Sequence, residues 1–291
     1  MALAKLGIDS AFVGAVGDDP FGRFLVAELT AAAVHTDAVI VVPQLTALAF
    51  VTLAEDGDRE FVFYRQDAAH DHLTPAHVDA AMADPQLTGA KILHLGSNGF
   101  AVEPAAAASR RALEVAGSRG LIVSFDVNYR PAFWKDESAA KLVMNEVLAH
   151  AEIVKVSLEE LEFLSGGGSL DAAERFAGDL LENGARLVCV TLGPAGAWYF
   201  CAAGAGEVAA PGVTAVDTTG AGDAFVAALL AAVSGQPELW ADESAAHEAV
   251  RRACAYAASS TTRPGAGPSY LTREEFDSRF SNGDMASHPA W

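Results

Sequence analysis

The sequence is short of cysteine, of cations and of long apolar runs, and each shortage excludes something. Only three cysteines occur, Cys189, Cys201 and Cys254, and no two share a CxxC spacing. A disulfide framework is excluded, and reduced thiols in a cytoplasmic protein are expected. Lys and Arg together number 19 against 38 Asp and Glu, a formal net charge of -19. A non-specific nucleic-acid binder needs the opposite balance, because phosphate backbones are bound by Lys and Arg. An anionic small molecule is not excluded, since local backbone amides and a few cations reverse the field in one pocket. The longest apolar run covers residues 224–233, far below the ~20 residues that span a bilayer. No membrane partner is expected, and the first residues do not read as a secretory leader. The GxxxxGK[ST] and GxGxxG patterns are both missing, as are internal repeats and low-complexity linkers.

What is there reads as a globular α/β chain. The 291 residues are 51% hydrophobic and 20% charged, ample for a buried core. Strand-like runs rich in β-branched residues fall at 10–16, 91–95, 121–126, 152–156 and 186–191. Helical runs fall at 20–33, 103–118, 137–150, 158–164 and 170–183, and Asp18 and Asp19 are cap candidates for the first of these. This alternation predicts a mainly parallel sheet sandwiched by helices. Residues 1–7 read as the last turns of a helix stopped by Gly7. One stretch departs from the pattern. Runs at 38–42, 47–54 and 60–64 follow one another without a helix, and the turn at 55–59 holds an Asp-Gly pair. They predict a small antiparallel β lid over 38–66. Residues 281–291 are expected to be a frayed tail, leaving one α/β domain over 1–280.

The chemistry concentrates at residues 216–233, where an apolar stretch gives way to Asp217, Thr218 and Thr219, then Gly220, Ala221, Gly222 and Asp223, and then an apolar helix. Small residues at a helix start let backbone amides approach a ligand. Those amides lack partners within the helix and sit at its positive end. A transferring phosphoryl group fits such a place. Asp223 in the first turn is placed to accept a proton from an attacking hydroxyl. Taken alone, a Gly-rich N-cap with an Asp favoured by the helix dipole fits these residues as well.

Taken with the rest of the chain, the run from Asp217 to Phe225 resembles the C-terminal signature of the PfkB carbohydrate kinases, the ribokinase family. Further matches follow in order. Gly14-Ala15-Val16-Gly17-Asp18-Asp19-Pro20-Phe21-Gly22 is similar to the segment after the family's first helix. Phe63-Tyr64-Arg65 is similar to the end of its lid. Asp126-Val127-Asn128-Tyr129-Arg130 with Trp134 matches the DxNxR…W pattern of the fructokinase and 2-keto-3-deoxygluconate kinase branches. Lys155-Val156-Ser157-Leu158-Glu159-Glu160 is similar to the NxxE region, with Ser157 in place of Asn. Thr191-Leu192-Gly193-Pro194-Ala195-Gly196 matches the TxGxxG turn.

The resemblance implies a ribokinase-like fold and ATP-dependent, Mg²⁺-requiring phosphorylation of a sugar, fructose first. It implies Asp223 as base and Gly220, Ala221 and Gly222 as an anion hole. It implies that Thr191, Gly193, Gly196, Asp217 and Thr218 lie along ATP, and that Arg65, Asn98, Asp126 and Arg130 contact the sugar. It implies that Glu160 holds Mg²⁺ largely through water. Partners are then a sugar and ATP, with a homodimer formed through the lid. The family's opening strand, its sugar-gripping aspartate and its Gly-Gly…Asn motif have no match, so the chain reads as an N-terminally shortened member. A 2-keto-3-deoxygluconate kinase and a non-catalytic binding protein with the kinase fold are the alternatives.

Overall fold

The computed structural model describes residues 1–53 and 59–281. The turn at residues 55–58 and the tail at 282–291 lie outside them. Among the described residues the strands are β1 (Gly14–Gly17), β2 (Val39–Val42), β3 (Leu48–Leu53), β4 (Arg59–Tyr64), β5 (Ile92–Gly96), β6 (Ile122–Asp126), β7 (Ile153–Ser157), β8 (Leu187–Thr191), β9 (Gly196–Cys201) and β10 (Gly204–Ala209). The helices are α1 (Ala2–Lys5), α2 (Pro20–Ala31), α3 (Pro75–Ala83), α4 (Ala105–Arg119), α5 (Glu137–Leu148), α6 (Leu158–Ser165), α7 (Leu170–Glu182), α8 (Ala221–Gly235), α9 (Glu243–Ser260) and α10 (Arg273–Ser281). The chain divides into two compact units. One holds residues 1–9, 91–98 and 116–291, and the other holds 10–90 and 99–115.

The first unit is built on a six-stranded sheet ordered β10-β9-β8-β7-β6-β5. Strands β5 to β8 run parallel, and β9 and β10 close the sheet antiparallel. Ile153, Val154 and Val156 on β7 and Leu187, Val188, Cys189 and Val190 on β8 are buried, as strands covered on both faces must be. Side chains alternate between faces. Leu187 and Cys189 join a core with Phe225, Leu229, Val250 and Tyr256 from α8 and α9, while α7 packs on β8 as well. Gly196 opens β9 with φ +117°. A Cβ there would lie 1.9 Å from the Val208 carbonyl oxygen, so only glycine lets β10 close in.

The second unit carries two separate strand pairs. Asp19 caps α2, its Oδ1 accepting from the N–H groups of Phe21 (2.9 Å) and Gly22 (2.8 Å) and its Oδ2 from Thr46 (2.7 Å). Asp18, the other candidate, forms an exposed ion pair with Arg23 instead. β3 and β4 pair antiparallel, Leu48 opposite Tyr64 and Phe50 opposite Val62. The expectation for 38–42 needs correction. Val39–Val42 pairs in parallel with Gly14–Gly17, outside the antiparallel pair. The strand read at 10–16 is confined to Gly14–Gly17, preceded by an isolated bridge from Ala11 to His35.

Candidate active site

Parallel sheets present ligands at the carboxyl ends of their strands, and the candidate residues of the first unit collect at those ends. β5 runs into Ser97 and Asn98, β6 ends on Asp126, β7 ends on Ser157 and β8 ends on Thr191. The amino end of α8 supplies the rest.

Gly220 is the N-cap of α8 and takes a left-handed conformation, φ +79°. A Cβ there would meet Tyr270 Oη at 2.5 Å and Ala266 Cβ at 2.8 Å. The Tyr270 hydroxyl donates to the Gly220 carbonyl at 3.3 Å, which holds the turn in place. The Ala221 N–H is turned back to the Thr218 carbonyl at 3.2 Å. The N–H groups of Gly220, Gly222 and Asp223 have no acceptor among the described residues. Asp217 organises the preceding loop, its Oδ1 accepting from Thr219 N–H (2.9 Å) and its Oδ2 from Gly265 N–H (2.8 Å).

Asp223 stays exposed to solvent, yet protein on its remaining sides strips away water. That desolvation, followed by the charge of Asp126, holds its carboxyl above the usual aspartate value, outweighing Lys155, Arg130 and the Met1 amino group. A carboxylate that is reachable and partly desolvated suits a general base.

Asp126 is buried and accepts from Lys155 Nζ at 3.0 Å and from the Asn128 N–H at 3.2 Å. Burial works against the charge on Lys155, but Asp126, Glu160 and Asp223 outweigh it, and its pKa stands above the ordinary value. Glu160 is buried in the first turn of α6. It forms a capping box with Ser157, whose N–H reaches Oε2 at 2.7 Å, and its Oε1 accepts from Tyr129 N–H at 2.8 Å. Burial lifts its pKa against the pull of Lys155. Each Glu160 oxygen carries one protein donor and keeps a lone pair. Among the described residues no cluster of three or more His, Cys, Asp or Glu side chains could cage an ion. That donor set suits a cation that keeps its waters and takes few protein carboxylates, as Mg²⁺ does.

The remaining candidates fall as follows. The Asn98 Oδ1 is buried with no hydrogen-bond partner among the described residues, an acceptor left for a ligand donor. Arg130 is exposed and donates to the Tyr129 carbonyl at 3.0 Å. Thr191 Oγ1 donates to the Val156 carbonyl at 3.3 Å, and Gly193 has open space around it at φ +59°. Gly196 is explained by the β9–β10 approach. Arg65 lies in the second unit, where it faces Asp71 at 3.5 Å and His70 at 2.9 Å. Sequence reasoning passed over Lys155. The available signal was a lone charge inside the apolar run of residues 153–156.

Comparisons with known proteins bear on the fold and the family. The profile described as "pfkB family carbohydrate kinase" matches residues 1–273. Fructokinase-2 of Solanum habrochaites is 40% identical over 276 residues, covering 94% of this chain and 82% of that protein. The crystal structure of a fructokinase with bound ATP from Xylella fastidiosa aligns with TM-score 0.86 at 32% identity, covering 98% of this chain and 88% of that one. A fructokinase from Vibrio cholerae O395, in a form with fructose, ADP and calcium ion bound, aligns with TM-score 0.85 at 32% identity, covering 95% and 87%.

Proposed function

This chain belongs to the pfkB family of carbohydrate kinases, and on that footing we propose that it phosphorylates fructose to fructose 6-phosphate with ATP. The observation that carries the reading is an exposed carboxylate, Asp223, in the first turn of a helix whose Gly220, Gly222 and Asp223 amides have no acceptor among the described residues. Asp223 takes the proton of the attacking sugar hydroxyl. The hydroxyl oxygen bonds to the γ-phosphorus as the bridging bond to ADP breaks, and the ADP oxygen keeps that electron pair. The free amides and the positive end of α8 receive the charge spread over the transferring oxygens. The partnerless Asn98 Oδ1 accepts from a sugar hydroxyl, Asp126 accepts from another, and Arg130 donates to sugar or phosphate oxygens.

Thr191, Gly193 and Gly196 line the phosphates, and Asp217 with Thr218 shapes the loop against them. Glu160 would hold Mg²⁺, and the ion would supply positive charge to neutralise the phosphates. Arg65 is assigned to the sugar on the sequence resemblance alone. The lid pair β3–β4 presents Phe50, Val62 and Tyr64, 52%, 40% and 66% exposed. These residues share one face of the pair, and that face joins two copies. The three buried cysteines suit a reducing compartment, the cytoplasm. Among the described residues no helix is long and apolar enough to cross a membrane.

The test is an ADP-release assay with fructose, 2-keto-3-deoxygluconate and ribose, on the wild type and on Asp223→Asn. Fructose should be turned over best, and Asp223→Asn should lose about 10²–10⁴-fold in kcat. An Asp223→Asn enzyme as fast as wild type would remove the base from the scheme.

A further inference from the structure

Lys155 has no part in the scheme above, and its position is hard to explain by packing. It sits in β7 between Val154 and Val156, both fully buried, and is itself only 7% exposed. A buried ion pair gives a fold little that a well-packed apolar pair would not. An ammonium placed there needs another reason. Its surroundings supply one. Nζ lies 3.0 Å from Asp126 Oδ1. It also lies 3.4 Å from where a Cβ on Gly222 would be. The ammonium therefore stands against the first turn of α8, beside the amides that lack acceptors. A Cβ at position 222 would touch it at ordinary van der Waals distance.

We infer that Lys155 is a positioning residue for phosphoryl transfer: its buried ammonium ties Asp126 to the mouth of α8 and supplies the fixed positive charge against which Asp223 works as a base. The inference rests on the kinase reading. A neutral side chain at 155 would leave Asp126 and Asp223, two carboxylates that each disfavour charge on the other, without their buried counter-charge. The groups that face Asp223 electrostatically are Asp126 at the end of β6, Lys155 on β7, Arg130 after β6, the Met1 amino group and Tyr270. Those that face Lys155 are Asp126, Glu160 and Asp223, together with His94 on β5, whose own pKa is pushed down first by burial. Within the first set, Lys155 and Arg130 are the side chains that favour ionised Asp223, and Arg130 is exposed and screened by solvent.

The test compares wild type, Lys155→Met and Lys155→Arg on fructose, with Asp223→Asn alongside, recording kcat, KM, the pH dependence of kcat/KM and thermal melts. Lys155→Met should lower kcat about 10²-fold with a much smaller change in KM. The acid limb of kcat/KM should move to higher pH by about one unit, because losing the cation raises the Asp223 pKa further. Lys155→Arg should return that limb to its wild-type position. If Lys155→Met melts without a cooperative transition, Lys155→Gln, which keeps a donor for Asp126, replaces it under the same expectations. A Lys155→Met or Lys155→Gln enzyme with lower thermal stability but an unmoved acid limb and wild-type kcat would make the lysine purely structural and overturn the inference. Loss of turnover in Asp223→Asn beside unchanged kinetics at 155 removes this role and leaves the kinase reading standing. No turnover by the wild type removes the kinase reading and this role with it.

Discussion

At the scale of single residues, two glycines of the signature differ in how tightly they are constrained. Gly222 lies where an added Cβ would only touch the Lys155 ammonium, at 3.4 Å, while Gly220 supplies a backbone conformation that L side chains rarely adopt. Gly220→Ala must both strain the backbone and push against Tyr270 and Ala266. It should cost about 1–3 kcal/mol, read as a lower urea midpoint, and should lower kcat by displacing the α8 amides. Gly178→Ala is the control. It lies within α7 with nothing within 4 Å of its added Cβ, and should instead gain about 0.5–1 kcal/mol. Equal losses at both positions would show that the left-handed turn at 220 is not what the glycine provides. Glu160 illustrates another kind of residue, one with two duties. Its carboxylate caps α6 and restrains the Tyr129 backbone, and the same oxygens are those assigned to Mg²⁺. A sequence motif names the glutamate, but only the structure shows that it is already committed to two backbone donors.

At the scale of elements, the α8 helix was legible because its signal is local. A glycine-rich start, an acidic residue in the first turn and an apolar run, Ala224 to Leu230 buried throughout, need no partner to be recognised. The cap of α2 was legible for the same reason, and Asp19, directly before Pro20, performs it through the Phe21 and Gly22 N–H groups. α3 was overlooked, yet its Thr74 cap with Pro75 at the first helical position was a readable start. Pairing was the weaker reading. Nothing in residues 38–42 specifies whether the neighbouring strand is parallel or antiparallel, and Val39–Val42 joined β1. The lid pair itself is a matter of register. Because Phe50 stands opposite Val62 and Leu48 opposite Tyr64, the exposed side chains of Phe50, Val62 and Tyr64 fall on one face, and Phe63, opposite Ala49, falls on the other. Phe50→Glu should therefore turn a dimer into a monomer by light scattering. A wild type that runs as a monomer at all concentrations would dismiss the lid interface.

At the scale of the whole molecule, charge dominates. With a formal net charge of -19, self-repulsion opposes the compact state at low ionic strength. Raising NaCl from about 20 to about 150 mM shortens the screening length to roughly 8 Å and should raise Tm by about 2 °C, an effect of under about 1 kcal/mol for a chain of this size. A fall in Tm over that range would mean that specific ion pairs outweigh the global repulsion. The acidic balance also makes the few cations at the sheet's carboxyl ends more telling.

The sequence by itself determined the helices and strands between residues 91 and 191 and a largely parallel sheet, and it marked residues 217–223 as the place where phosphoryl transfer is proposed. Those features follow from short-range physics: side-chain periodicity, capping groups and the conformational freedom of glycine. Only the tertiary structure decided that Lys155 meets Asp126 across adjacent strands, that Asn98 is left holding an unused acceptor, and that the Ala221 amide is taken while its neighbours are free. The first two depend on residues far apart in the chain, since desolvation and Coulomb interaction act through space rather than along the sequence, and the third on the turn that folds the Ala221 N–H back onto the Thr218 carbonyl.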